Sequence, residues 1–280
     1  MEKDKEFRLK DGRRLEYAEY GDPEGKTIID FHGNPGSRYD WLSSDETLKE
    51  HGLRAICPDR PGWGLSDMKQ GFKLADYPSD IAELADSLGL EKFSIYTNGI
   101  GTCYALPVII TLPDRVTSVT IASGFYPNSG QKLPSSFMLK LLALQMKGKL
   151  KDKTKFGPYF LQLFPKMDNA EPDTTILKDV NYEPMIQKAI DSFYEGLHRS
   201  LAGFMYDLKL VPQPWAFDFK DISPSIPVHV FHGDLDAQVK LSAVKEAVAK
   251  IPNCTAIYYP GEATISVIFK KMDELMDSIA

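Results

Sequence analysis

Short apolar segments alternate with segments of helical periodicity in the first half of the chain. Four apolar runs have the length of buried strands, and they are residues 27–31, 53–57, 93–96 and 116–122. Residues 80–88 repeat apolar positions at helical spacing and are followed by Gly89, a frequent helix C-cap. The alternation predicts a parallel sheet covered by helices. The opening segment 6–20 alternates and turns like a hairpin, which predicts an antiparallel addition at one sheet edge.

This pattern stops after Phe125. Two helical segments follow, at 137–146 and 185–206, without convincing strands. The sheet pattern then resumes with a strand at 228–231, a helix at 241–250, a strand at 255–259 and a C-terminal helix at about 265–279.

The order of these segments predicts a divided core with an insertion. We expect residues 1–126 and 223–280 to form one α/β core, and residues 127–222 to form a helical cap. A chain of 280 residues, 43% of them hydrophobic, is long enough to bury such a core and a subdomain.

Composition excludes several classes of function. The formal net charge of −6 leaves no basic excess to neutralise phosphates, so no nucleic-acid partner is expected. The charged N-terminus lacks the apolar region of a signal peptide, and no apolar run approaches the roughly 18 residues of a spanning helix, so no stable membrane insertion is expected. The three cysteines are far apart and have no metal-ligand spacing. We therefore expect a cytoplasmic protein without metal or cofactor.

Four motifs follow directly after predicted strands. They are FHGNPGSR at 31–38, PDRPGWGLS at 58–66, TNGIG at 97–101 and HGDLD at 232–236. Because the carboxyl ends of parallel strands meet at one edge of a sheet, these motifs should converge there.

Together the four motifs resemble those of the α/β-hydrolase fold family, in particular its small capped hydrolases with an HGxPGSR loop. The resemblance covers nearly the whole chain and implies a mostly parallel eight-stranded sheet, helices on both faces and an inserted helical cap. It also implies a ligand cavity under the cap. The family's oxyanion hole would be formed here by the backbone N–H groups of Asn34 and Ile100.

The resemblance also implies that the catalytic triad is degenerate. The family's nucleophile turn has the pattern small-x-nucleophile-x-small, and Gly99 stands at the nucleophile position. Thr264 stands at the position of the base, and the last histidine of the chain is His232. Asp236 is retained as the acid. A serine hydrolase needs an imidazole beside its nucleophile, so this chain should not perform that reaction.

Several other residues are candidate ligand contacts, namely Gly33, Asn98, Cys103, Phe125 and His198. Cys103 is close to a helix N-terminus, which lowers a thiol pKa, although a small buried residue is the simpler interpretation. His198 could face the cavity from the cap or lie on a solvated helix.

Asp234 beside Asp236 could indicate a carboxylate pair or metal site, and we favour a structural turn. The basic segment 147–155 could contact an anionic membrane, and we favour a solvated turn.

Three hypotheses for the function remain open. The first is a non-catalytic protein that binds a small, partly apolar ligand in the old active site. The second is an enzyme of unorthodox chemistry, such as a lyase, an isomerase or a slow hydrolase, that uses the Asn34 and Ile100 donors. The third is a hydrolase whose site was altered by engineering or reconstruction. Loss of both nucleophile and base favours the first, whereas intact backbone donors favour the second. The sequence indicates no particular protein partner.

Overall fold

The computed structural model describes residues 4–40, 44–126, 148–167, 170–210 and 215–279, without the side chains of 163–167. Within these residues, eight strands form one sheet in the order β1-β2-β4-β3-β5-β6-β7-β8. The strands are β1 Asp4–Arg8, β2 Arg14–Gly21, β3 Lys26–Phe31, β4 Leu53–Pro58, β5 Phe93–Gly99, β6 Val116–Gly124, β7 Val228–Gly233 and β8 Cys254–Tyr259. Strand β2 is antiparallel to both β1 and β4, whereas β4, β3, β5, β6, β7 and β8 pair in parallel. The predicted mostly parallel sheet and its antiparallel hairpin are confirmed.

Ten α-helices occur in the same described residues. They are α1 Asp45–Glu50, α2 Tyr77–Ser87, α3 Gly101–Thr111, α4 Lys153–Met167, α5 Glu171–Ile176, α6 Glu183–Leu197, α7 Ala202–Leu210, α8 Leu241–Val248, α9 Thr264–Lys270 and α10 Met272–Asp277. Helices α4 to α7 lie between β6 and β7, where the sequence predicts the cap, although the boundaries 127 and 222 remain a prediction. The predicted helix at 137–146 and Lys147 at the start of the basic segment lie outside the described residues.

Hydrophobic side chains form a separate cluster on each face of the sheet. Because side chains alternate along a strand, Ile29 joins one cluster with α2 and α3, and the neighbouring Ile28 joins the other with α1, α9 and α10. Each cluster buries a layer of helices against the sheet, as the parallel topology requires. A third cluster lies in the cap around Trp63, which reaches it from the turn after β4.

The cap docks on that turn through its backbone. The segment 185–206, predicted as one helical region, is divided into α6 and α7. The Gly203 N–H donates to the carbonyl of Gly62 at 3.0 Å, and the Gly64 N–H donates to the carbonyl of Gly196 at 3.0 Å. A Cβ on Gly203 would lie 2.2 Å from the Trp63 ring, so the close approach requires glycine. The helix is interrupted here because these backbone groups bond the core turn.

The predicted C-terminal helix at about 265–279 is also divided. Helix α9 ends at Lys270, and α10 begins at Met272. The residue between them, Lys271, has φ −114° and ψ 21°, outside the helical region.

A buried ion pair joins the cap to the core. Arg60, in the turn after β4, lies 2.6 Å from Asp207 of α7, and both side chains are fully buried. The same carboxylate accepts hydrogen bonds from the Tyr104 hydroxyl at 2.5 Å and from the Asn34 side-chain amide at 3.2 Å. One cap residue therefore fixes α3, the turn after β4 and the loop after β3.

Substitution of Asp207 by Asn should destabilise the fold strongly. The change leaves the Arg60 charge buried without its partner, which costs about 3–5 kcal/mol in comparable sites. The free energy of unfolding from urea denaturation measures this loss.

The matched control is Asp86→Asn, which removes the partner of Arg115 at 2.7 Å, where the Asp86 side chain is 64% exposed. An exposed pair contributes about 0–1 kcal/mol. Equal losses in the two variants would contradict the structural role assigned to Asp207.

Candidate functional site

A cavity of about 350 Å³ lies between the carboxyl ends of the strands and the cap. This volume is within the usual range of small-molecule sites. The described cap helices contribute a largely apolar wall that includes Phe160, Ile186, Ile190, Phe193 and Phe204. The polar groups of the cavity come mainly from the loops that follow the strands.

Gly99 stands at the sharp turn between β5 and α3. Its φ of +47° lies in the left-handed region, which a glycine adopts without the penalty of a Cβ. A Cβ built there would have the Gly33 Cα, at 3.8 Å, as its nearest neighbour. The strand-turn-helix geometry is therefore present with room for a side chain, and the chain places none there.

Thr264 and Asp236 are joined by a direct hydrogen bond across the cavity wall. The Thr264 hydroxyl donates to Asp236 Oδ2 at 2.8 Å. Asp236 Oδ1 accepts from the backbone N–H groups of Gln238 at 2.7 Å and Val239 at 2.8 Å. Burial raises the pKa of Asp236, while the nearby His232 and these hydrogen bonds oppose the shift. Thr264 is thus held by a carboxylate that two backbone N–H groups also engage.

A second cap carboxylate fixes the helix that begins at Thr264. Asp173 of α5 accepts from the backbone N–H groups of Ile265 at 2.9 Å and Ser266 at 2.8 Å. These N–H groups belong to the first turn of α9, where the helix itself offers no acceptor. The position of Thr264 therefore depends on the cap as well as on Asp236.

The N–H groups of Asn34 and Ile100 are available to a ligand. Both residues line the cavity, and none of the hydrogen bonds between described residues uses either N–H. The loop before Asn34 is held by Arg60, whose guanidinium donates to the carbonyls of His32 and Gly33. Asn34 thus lies on a loop that Arg60 supports, whereas Ile100 lies at the turn between β5 and α3.

His32 is a structural residue of this loop. Its Nδ1 lies 2.9 Å from the Gly33 carbonyl, and its Nε2 accepts from the Arg60 N–H at 3.3 Å. This arrangement needs a neutral ring with the proton on Nδ1. Burial lowers the pKa of His32, and the charge of Arg60 lowers it further, which favours the same form.

None of the five histidines lines the cavity. His232 lies nearest to the acid, with Nε2 3.7 Å from Asp236 Oδ2, but it is fully buried and bonded to the Val239 carbonyl at 2.9 Å. His198 stacks on Tyr194 with 5.0 Å between ring centroids, and its Nδ1 lies 3.2 Å from the Glu195 carbonyl. The structure therefore does not place His198 at the ligand contact expected from the sequence.

Cys103 is likewise away from the cavity wall. Its thiol is packed in the core on α3, and burial raises its pKa, with a further contribution from the nearby Asp207. Cys103 is thus neither an activated thiol nor a contact of the cavity, because its helix turns it toward the sheet.

In contrast, Gly33, Asn98 and Phe125 do line the cavity. Asp234 accepts from the Gly261 N–H at 2.8 Å, which fits the turn interpretation.

Asp40 is a cavity residue that the sequence did not reveal. Its carboxylate accepts from the Ser192 hydroxyl at 2.7 Å, the Ser37 N–H at 3.3 Å and the Asn98 side-chain amide at 3.4 Å. Burial raises its pKa. Nothing in the spacing of the HGNPGSR motif distinguishes Asp40 from a solvated loop carboxylate, since Ser192 reaches it from α6.

Ser123 is the second such residue. It lies near the end of β6 and on the cavity wall, with φ +48°, a conformation that costs a non-glycine residue about 1–3 kcal/mol. Its hydroxyl donates to the carbonyl of Thr264 at 3.4 Å. A left-handed serine has no sequence signal.

A family model described as alpha/beta hydrolase fold matches residues 26–262. The chain belongs to the α/β-hydrolase fold family. Members of this fold place their active sites at the carboxyl ends of the strands, beside the strand-turn-helix. This chain has its cavity and the turn at Gly99 in the same place.

Curated relatives of this α/β-hydrolase-fold protein include hydrolytic enzymes. A haloalkane dehalogenase of Mycolicibacterium paratuberculosis is 26% identical over 127 residues, which are 44% of this chain and 42% of that protein. The match thus spans under half of the relative's length. A putative proline iminopeptidase of Mycoplasma pneumoniae is 24% identical over 283 aligned positions, with 88% of this chain and 87% of that protein covered.

Solved structures show the same fold over nearly the whole chain. A hydrolase from Pseudomonas aeruginosa PA01 superimposes with a TM-score of 0.73 and 18% identity, covering 99% of this chain and 98% of that one. At this level of identity the likeness concerns the fold alone.

Two further properties belong to the described ranges alone. No helix in them combines the length and apolar character needed to cross a membrane. They also contain no group of three His, Cys, Asp or Glu side chains arranged to hold a metal ion.

The raised pKa of Asp40 predicts a specific dependence of stability on pH. An acid whose pKa is raised by folding contributes stability below its unfolded pKa, near 3.9, and loses it as pH rises through the folded pKa. Asparagine does not titrate, so the variant Asp40→Asn does not have this loss of stability with rising pH. Its free energy of unfolding should therefore rise relative to the parent as pH increases from 4 to 8 in urea denaturation.

Asp76→Asn is the control of opposite sign. The Lys73 N–H bonded to Asp76 at 2.8 Å lowers the pKa of that carboxyl, so its contribution is present at higher pH and lost as pH falls through the folded pKa. This variant should lose stability relative to the parent as pH rises through about 4, and the difference should stay constant above about pH 5. The same trend in both variants would refute the burial argument for Asp40.

Proposed function

We propose that this protein binds a small, partly apolar molecule in the cavity and does not perform serine hydrolysis. The observation that carries the proposal is a contrast between the cavity, which is present, and the residues at the positions of nucleophile and base, which cannot act as either. Gly99 stands at the strand-turn-helix without a side chain, and Thr264 offers Asp236 a hydroxyl. The cavity, the backbone donors and the apolar wall remain.

The hydrogen bond of Thr264 explains why hydrolysis is not expected. In a triad, the acid orients an imidazole, and the imidazole takes the proton of the nucleophile. Here the Thr264 hydroxyl occupies Asp236 Oδ2 at 2.8 Å and cannot accept a proton near neutral pH. No histidine of the chain reaches the cavity. The acid is then an anchor for α9 within a binding site.

A second candidate function, a lyase, isomerase or slow hydrolase, is favoured by a different observation. The unused N–H groups of Asn34 and Ile100 could stabilise a developing negative charge. Asp40, whose pKa burial raises, is the cavity carboxylate suited to hold or move a proton near them. This candidate predicts that Asp40→Asn abolishes turnover of the true substrate.

The purified protein should show no serine-hydrolase activity. We expect no turnover of p-nitrophenyl butyrate above a heat-denatured control, and no labelling by a fluorophosphonate, because the cavity lacks both the nucleophile and the base. Absorbance at 405 nm and intact-mass spectrometry measure these outcomes. Stoichiometric labelling of any serine, including Ser123 and Ser192, which line the cavity among the described residues, would overturn the proposal.

Restoring both missing groups should restore ester hydrolysis. Gly99→Ser has room for its Cβ, and Thr264→His places a ring where a hydroxyl now bonds Asp236. Each single variant should do little, whereas the double variant should exceed both by about 100-fold or more in kcat/KM, because triad members act as a unit.

The matched control is the double variant Gly99→Ala with Thr264→His, which adds a Cβ and the ring but no hydroxyl. It should stay at the parent's rate. A folded Ser–His double variant that is no faster than this control would show that Asp236 or the oxyanion donors do not hold the positions assigned to them.

A further inference from the structure

The charge of the cavity is unbalanced. Among the described residues that line it are two carboxylates, Asp40 and Asp236, and no lysine, arginine or histidine. The remaining wall is mostly apolar. A ligand that enters therefore meets acidic groups in surroundings of low dielectric, where charge interactions are strong.

The two carboxylates differ in what they offer to a ligand. The Asp236 side chain is only 1% exposed, and its oxygens are engaged by Thr264 and two backbone N–H groups. Asp40 is partly exposed on the cavity wall and is held by Ser192, a backbone N–H and the long 3.4 Å bond from Asn98. Asp40 is therefore the carboxylate that a ligand can reach.

The donors around Asp40 are neutral and leave its charge uncompensated. The cation that acts on it is Arg60, and this guanidinium is already paired with Asp207 at 2.6 Å. A hydrogen-bond donor on the ligand would complete the environment of Asp40. A carboxylate on the ligand would instead meet a like charge, which weakens its binding in a desolvated site.

Asp40 lines the same cavity as the backbone donors. It accepts from Asn98, which immediately precedes Gly99 and Ile100 on the chain. The ligand's polar end therefore meets an acceptor at Asp40 and N–H donors at Ile100 and Asn34.

We propose that the cavity selects apolar molecules whose polar head donates hydrogen bonds to Asp40, an amine or a carboxamide, and rejects those that end in a carboxylate. This inference rests on the proposed binding function and names the chemical class of its ligand. The apolar tail packs against the cap wall, and the head donates to Asp40; the oxygen of a carboxamide head can in addition accept from the backbone donors.

Isothermal titration at pH 7.5 with three compounds of equal chain length tests the inference. Octylamine, octanamide and octanoate share an apolar chain and differ in the head. We expect the amine and the amide to bind at least about tenfold more tightly than octanoate. The comparison of octylamine with octanamide shows whether the site prefers a cationic or a neutral donor. This comparison uses the unmodified protein and needs no variant.

The variant Asp40→Asn tests whether Asp40 determines the preference among the three compounds. The variant should lose about tenfold in octylamine affinity and gain affinity for octanoate, because the amide carries no charge and can donate. Asp114→Asn, the same change at an exposed turn, should leave all three affinities unchanged.

Three outcomes separate the claims. Octanoate binding as tightly as the amine and the amide, or selectivity unchanged in Asp40→Asn, would overturn this inference and leave the cavity as a binding site. Labelling by the fluorophosphonate would overturn the proposed function while leaving the donor preference intact. Binding of none of the three compounds would count against both.

Discussion

The buried contact between Arg60 and Asp207 organises the site. Arg60 holds the carbonyls of the loop that ends in Asn34, and Asp207 brings α7 of the cap and Tyr104 of α3 to the same point. Both charges are fully buried, so neither can be removed alone without a large loss of stability. This constraint does not involve Gly99 or Thr264. The cavity and the loop that carries Asn34 are therefore held independently of the residues at positions 99 and 264.

Thr264 and its neighbours also take part in the contacts that join cap and core. Thr264 bonds Asp236, and Asp173 of the cap bonds the first turn of the helix that Thr264 begins. Asp236 in turn orders the backbone at Gln238 and Val239. Polar groups near the cavity are therefore used largely to hold cap and core together. Asp40 also bonds Ser192 of the cap, and it differs from the others in presenting a partly exposed carboxylate to the cavity.

Much of the fold follows from local patterns, whereas the polar contacts of the site depend on distant residues. The strands, the hairpin and the turn at Gly99 are encoded by short apolar runs and adjacent motifs, so the sequence predicts them. Asp40 and Asp207 acquire their roles largely from residues distant in sequence, such as Ser192 for Asp40 and Arg60 for Asp207, and have no local signal. Cys103 and His198 do not line the cavity, because the packing of their helices decides which way each side chain faces.

The central claim is that the vacated site remains a non-covalent binding cavity. The most direct measurement is a crystal structure of the protein after exposure to a small-molecule extract of cells. The account predicts density for a bound molecule between Asn34, Gly99 and Asp236, with its polar end at Asp40 and no bond to the protein. A covalent adduct on any cavity side chain would contradict it.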